Sequence, residues 1–292
     1  MPFQAEVVTE FLNPASEPVW EVASPPGTGK TRLAAAVVRH VLHSRNLARV
    51  LVLVPKALGV MWTDELNNIG PAAVWVDRGK LLELVASAGV GQQPFPAGTA
   101  IVMSIDLAKR TDVLALLKSV DWDLAVADES HLLVGKRADA FFGLLKDGRA
   151  RRGLLLTSLP SAGPFPFALS TARRTFDWTQ IKDWDGRPLF VVRHPTVKVV
   201  MYERSVEEAA LFRDLEALAA RMSEVLPVLR FGAAELVRTA SSSLYAAEQR
   251  ARELQGALKH IRNLFTHGRA LDVTTVDALE DETSSEASDL EV

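Results

Sequence analysis

The sequence predicts an α/β fold: a parallel sheet with helices on both faces, organised around a phosphate-binding loop and followed by a helical connector. Three observations carry this. Short apolar runs alternate with helical patterns through the first two-thirds of the 292 residues. Most runs are apolar throughout rather than at every second position, as strands buried on both faces are. A glycine-rich stretch ending in Lys-Thr joins the first run to the first helical pattern.

Taken in order, the candidate strands are Val19–Ala23, Val50–Val54, Ala73–Val76, Ala100–Ser104, Leu124–Ala127 and Gly153–Thr157. A helix is expected from Arg32 to Ser44, where Leu33, Ala34, Val37, Val38 and Val41 recur at helical spacing. Residues 92–98 (QQPFPAG) read as a loop. After Pro160 the chain is punctuated by Pro164, Pro166, Pro188 and Pro195 before a strand-like Val197–Tyr202. Ser205 and Glu208 then form a capping-box pair for a helix to about Ser223. A longer helix is expected over 233–265, with Leu236, Leu244, Leu254, Leu258 and Ile261 among its apolar positions. The Ser- and acid-rich sequence beyond Asp272 has too little apolar material to order itself. Three segments follow: residues 1–200 as the nucleotide-binding lobe, 201–271 as the helical connector, and 272–292 as an acidic, disordered tail.

Composition narrows the function classes. There is no cysteine, which excludes disulfides, thiolate zinc sites and cysteine nucleophiles and fits a reducing compartment. No apolar run approaches the roughly 18 residues of a membrane span, and MPFQAEVV lacks a basic segment followed by a hydrophobic core. The expectation is a cytoplasmic protein with no membrane partner. The formal charge of −3 is uneven: residues 272–292 hold eight acids and no Lys or Arg. The remaining 33 basic and 28 acidic side chains leave a body of +5, a modest bias toward anionic partners.

Ser24-Pro25-Pro26-Gly27-Thr28-Gly29-Lys30-Thr31 sits between the first strand and the first helix. In such a loop successive backbone N–H groups turn inward onto a β-phosphate, which calls for glycine at crowded or positive-φ positions. Gly27 and Gly29 supply it, within a cradle that includes Pro26 and Thr28. Lys30 is placed to reach the β- and γ-phosphates, Thr31 to ligate Mg²⁺, and the helix opening at Arg32 to present its positive end. Ser24 departs from the general pattern, which has glycine there.

Nucleotide binding becomes hydrolysis only with an acid for Mg²⁺ and a base for the attacking water at the end of a neighbouring buried strand. Leu124–Ala127 followed by Asp128 and Glu129 meets that requirement, with Asp128 as the magnesium carboxylate and Glu129 as the general base.

Extended to Ser130 and His131, this box resembles the DExH box of superfamily-2 helicases and translocases. Other segments agree in order. Val52-Leu53-Val54-Pro55-Lys56, continuing to Trp62 and Glu65-Leu66, is similar to the motif after the P-loop helix in Swi/Snf-type ATPases. Ile101 to Asp106 with Lys109-Arg110 resembles the next DNA-facing motif. Leu155 to Pro160 stands where the family has its Thr-Ala-Thr-Pro coupling segment, with Leu159 in place of the second threonine. The 202–208 and 241–246 stretches resemble the helical connector to a second lobe. The resemblance implies a RecA-like N-terminal lobe that binds ATP and Mg²⁺. It also implies Gln4 as an adenine reader, His131 as a link to the coupling segment, and nucleic acid, double-stranded DNA, as partner. No candidate is found for the later motifs. The expectation is therefore weak hydrolysis alone and a second RecA-like lobe in trans or in a longer parent chain.

Two rivals remain open at this level: an AAA+ ATPase, and a nucleotide-gated binding subunit of a DNA-defence or repair complex. Arg32, Lys56, Lys109 and Arg110 fall at or after strand ends, where a nucleic-acid backbone or plain solvent would face them. Trp20 and Trp62 read as core; Trp178 and Trp184 read either way.

Overall fold

The computed structural model describes residues 1–190 apart from 46–47, 90–91, 162, 164 and 167–168, together with 198, 201, 203–225 and scattered positions from 236 to 259. The chain divides into two compact units, Met1–His194 and Pro195–Val292.

The first unit is built on seven parallel strands in the order β3-β4-β2-β5-β6-β1-β7. They are β1 (Val19–Ala23), β2 (Arg49–Val54), β3 (Ala72–Val76), β4 (Thr99–Ser104), β5 (Leu124–Ala127), β6 (Gly153–Thr157) and β7 (Thr171–Thr175). Six match the apolar runs to within one residue. The edge strand β7 is the exception, because Thr-Ala-Arg-Arg-Thr carries no apolar run. Its place is fixed instead by parallel pairing with β1, which sets Arg173 opposite Glu21, and polar side chains suit an exposed sheet edge.

Helices cover both faces because consecutive strand residues point to opposite sides. Val50, Val52 and Val54 pack with α1 (Pro2–Leu12), α2 (Lys30–Ser44) and α3 (Gly59–Ile69), contributing Phe11, Val37, Trp62 and Leu66. Leu51 and Leu53 pack on the other side with residues of α4 (Arg78–Ser87), α5 (Ile105–Ala108), α6 (Thr111–Lys118) and α7 (Lys136–Lys146), including Leu81, Val113 and Phe141. The 92–98 loop also feeds this second core. Its Phe95 is fully buried, with its ring 5.3 Å from that of Trp122.

In the second unit, α8 (Val206–Val225) begins at the expected capping box. The Ser205 N–H donates to Glu208 Oε2 at 2.9 Å, and the Glu208 N–H donates to Ser205 Oγ at 3.2 Å. Phe212 packs with Ala240 and Leu215 and carries the Arg204 guanidinium 3.7 Å above its ring. Helical residues occur at described positions between 236 and 259. The rest of the expected 233–265 helix, most of Val197–Tyr202 and the acidic tail lie outside the described residues. Among the described residues no helix is long and apolar enough to cross a membrane.

Candidate nucleotide site

All strands run the same way, so the loops after β1, β2, β4, β5 and β6 meet at one edge, the carboxyl end where ligands bind in open parallel sheets. A cleft of about 550 Å³ opens there, lined by the P-loop, the start of α2, the α3 side and the end of β5.

The P-loop takes the expected turn. Gly27 has φ 75° and Gly29 φ 80°, both left-handed. An added Cβ at 29 would also lie 2.4 Å from Gln4 Nε2, so the end of that flexible side chain would have to shift. Ser24, where the general pattern has glycine, keeps a negative φ and turns its hydroxyl inward, 2.8 Å from Thr28 Oγ1. Thr28 is fully buried and also donates to the Pro25 carbonyl at 2.8 Å. It shapes the loop from beneath, and its residue is the one member of the loop's Pro26–Thr31 run that does not line the cleft. The helix begins at Lys30, two residues earlier than the apolar periodicity indicates.

Lys30 Nζ donates to the Ser24 carbonyl at 2.7 Å and the Pro25 carbonyl at 3.2 Å, so the ammonium lies within the loop. Burial pulls its pKa down, opposed by the charges of Glu129 and Asp128. Gln4 is on α1 against the loop. Its Nε2 donates to the carbonyls of Thr28 and Gly29 at 3.1 and 3.0 Å, and its Oε1 accepts from the Met1 amine at 3.0 Å. Both ends of the amide are thus engaged, the Nε2 end with the loop and the Oε1 end with the chain's own amine, while the residue still lines the cleft. Arg32 lines it too, paired to Glu65 of α3 at 3.1 Å.

Across the cleft, Asp128 is 4% exposed. Burial pushes its pKa up; the indole N–H of Trp62, donating to Oδ2 at 2.7 Å, pulls the other way, and the nearby Glu129 charge adds to the rise. Glu129 has φ 48° and ψ 51°, the one non-glycine positive φ among the described residues. Held backbone strain of this kind costs on the order of 1 kcal/mol and is found at working sites. Glu129 Oε2 lies 3.3 Å from His131 Nδ1 and 3.5 Å from Ser158 Oγ. The same His131 nitrogen is 3.2 Å from Thr157 Oγ1. Thr157 in turn donates to the Leu159 carbonyl at 2.9 Å and accepts from the Leu159 N–H at 3.0 Å. His131 stands beside the cleft rather than in it, touching both the base candidate and Thr157 at the end of β6.

Thr31 and Asp128 line one cleft and offer only oxygen to a metal, as a hard divalent cation prefers. Two carboxylates face one ammonium, so a polyphosphate would enter together with a counter-cation. The described residues hold no group of three or more His, Cys, Asp or Glu placed around a metal.

The sequence reading passed over Leu58, Met61 and Glu65 as lining residues. A helix after β2 packed against α2 would have indicated them, because residues three and four apart share its cleft face. Of the basic positions, Lys56 is exposed after β2. Lys109 pairs with Asp106 at 2.9 Å, and Arg110 lies 3.7 Å from Asp112.

The Type III restriction enzyme res-subunit family matches residues 1–161, more than half of the chain and the whole of the site described above. The chain belongs to that family. The matched residues belong to an ATP-binding lobe of the superfamily-2 helicase type. The RNA polymerase-associated protein RapA of Erwinia tasmaniensis is 32% identical over 112 residues, covering 37% of this chain and 11% of RapA. This res-family chain therefore spans about a tenth of that relative's length. Among solved structures, the UvsW helicase of bacteriophage T4 is similar at TM-score 0.43 and 16% identity, over 60% of this chain and 58% of UvsW. The Sulfolobus solfataricus SWI2/SNF2 ATPase core in complex with dsDNA is similar at TM-score 0.48 and 15% identity, over 91% of this chain and 64% of that one. At such identities no ligand or partner carries over.

Proposed function

We propose that the res-family lobe hydrolyses ATP with Mg²⁺ and couples turnover to nucleic acid, double-stranded DNA in the first instance. One observation carries the reading: Lys30, Thr31, Asp128 and Glu129 line a single cleft at the carboxyl edge of the sheet. In that reading the loop N–H groups and Lys30 hold the β- and γ-phosphates, with Gln4 and Arg32 on the side open to the base. Thr31 and Asp128 hold Mg²⁺, which neutralises charge building on the phosphate oxygens. Glu129 orients the attacking water and accepts its proton, and its contacts with Ser158 and His131 link it to the Thr157–Pro160 segment.

Phosphoryl transfer gains on the order of 10³ to 10⁵ in rate from an arginine finger. Arg32 is the one arginine lining the cleft among the described residues, and it is paired to Glu65. We therefore expect slow hydrolysis by this chain alone and faster hydrolysis with a second RecA-like lobe, in trans or in a longer parent chain. The family match favours this over a ring-forming AAA+ ATPase.

The test is binding of a fluorescent ATP analogue, then hydrolysis with and without duplex DNA. Lys30→Ala should weaken binding at least 10-fold. Glu129→Gln should keep binding and lose turnover. Unchanged affinity in Lys30→Ala would sink the site assignment.

A further inference from the structure

Trp62 reads as core, and it is fully buried. Packing alone leaves its N–H unaccounted for. The fold contains a second fully buried indole, Trp122, whose Nε1–H donates to the Leu117 backbone carbonyl at 2.9 Å, an ordinary way to satisfy a buried donor. Trp62 instead spends its donor on Asp128 Oδ2 at 2.7 Å, while the Glu129 backbone N–H donates to Oδ1 at 3.0 Å. Each oxygen of that carboxylate is thereby fixed by one donor, and neither donor carries a charge that would compete with a cation. The residue still lines the cleft.

The support behind Trp62 is closely packed. It sits on α3, whose first residue, Gly59, lies so close to the Trp75 ring of β3 that an added Cβ would come within 2.3 Å of it. On the same stretch, Leu58, Met61 and Glu65 line the cleft, and Glu65 pairs with Arg32. The helix follows directly from Pro55 and Lys56 at the end of β2.

We propose that Trp62 is a positioning residue for the divalent cation that enters with the nucleotide: its indole N–H holds the Asp128 carboxylate in the orientation that receives the metal. The inference rests on the nucleotide-site reading above. It also makes α3 the element through which the β2 end and the metal site share one geometry. Donors that orient a metal-binding group typically contribute 10- to 100-fold to metal affinity.

The test compares Trp62→Phe, which removes the donor and keeps an aromatic ring, with Trp122→Phe, which makes the same change at the second fully buried indole. Affinity for a fluorescent ATP analogue is measured in EDTA and across a Mg²⁺ titration, with melting curves for both variants. Trp62→Phe should need about 10-fold more Mg²⁺ for half-maximal effect, with its EDTA affinity unchanged. Trp122→Phe should titrate like the unaltered protein. Identical titrations for the two variants would overturn the proposal. The failures separate cleanly: if the unaltered protein shows no Mg²⁺-dependent binding, the nucleotide-site reading falls and takes this inference with it. If it does and Trp62→Phe matches it, this inference alone falls. Should Trp62→Phe not fold, the ¹⁵N-labelled indole signals decide the matter. One buried indole N–H must move on adding Mg²⁺ with nucleotide and stay put in Asp128→Asn, and an unmoved set of signals in the unaltered protein overturns the proposal.

Discussion

Strand β5 carries an aspartate at each end, and the two are treated in opposite ways. Asp123, just before the strand, accepts from Arg45 Nη1 at 2.9 Å and the Arg49 N–H at 3.1 Å, with Arg151 3.7 Å away. Its charge is answered by cations of the protein itself. Asp128, just after the strand, is held by two neutral donors and lies near a like charge on Glu129. Its charge is answered only in part, by the Lys30 ammonium that it shares with Glu129. The first arrangement closes the bottom of the sheet. The second leaves a carboxylate poised at the edge where parallel strands gather ligands. A buried charge so weakly compensated is costly, which fits the proposed division in which Asp123 serves stability and Asp128 serves chemistry.

Paired substitutions break the comparison most directly. Asp128→Asn should lower turnover by about 10²- to 10³-fold, the usual loss when an electrostatic group of the reaction is removed, with a melting temperature at or above the unaltered value. Asp123→Asn should do the reverse: turnover within about two-fold, and stability down by roughly 1 to 2 kcal/mol from the weakened hydrogen bonds. Turnover assays and denaturant melts on the two variants check both halves. Equal effects on either readout would erase the distinction.

Glu129 sharpens the comparison further, since its left-handed backbone is a local expense next to Asp128 with no equivalent beside Asp123. Asparagine tolerates that conformation better than glutamate does. Glu129→Asn should therefore stabilise the fold by about 1 kcal/mol while removing the base. A denaturant melt showing lower stability than the unaltered protein would contradict it.

How much of this was readable beforehand follows a physical divide. Six strands announced themselves through apolar runs, and the candidate site residues Gly27 to Thr31 and Asp128-Glu129 through the chemistry proposed for that order of residues. β7 was invisible because its determinants are a register pairing and the distant Glu21–Arg173 contact, 3.3 Å. Trp62 is core, as its sequence indicates; its hydrogen bond was not legible, because burial and hydrogen bonding have the same sequence signature in tryptophan and only the fold brings it to Asp128, 66 positions on. The strain at Glu129 leaves no mark in sequence at all.

Asp106 supplies the finest and smallest test, because it sits on the nucleotide edge yet is treated like Asp123. It accepts from Lys109 Nζ at 2.9 Å and Arg137 Nε at 2.8 Å, linking α5 to α7. Burial alone would raise its pKa, but the hydrogen bonds and charges of Lys109 and Arg137 outweigh burial and hold it below the ordinary 3.8. An acid whose folded value is depressed contributes stability that is present above the unfolded value and is lost as pH falls through the folded one. Asp106→Asn should thus cost roughly 1 kcal/mol at pH 7, as partly buried ion pairs do. The gap to the unaltered protein should narrow steadily as pH falls below about 4. Denaturant melts from pH 7 to pH 3 measure it, and a gap that stays constant over that range would show that Asp106 acts through packing rather than charge.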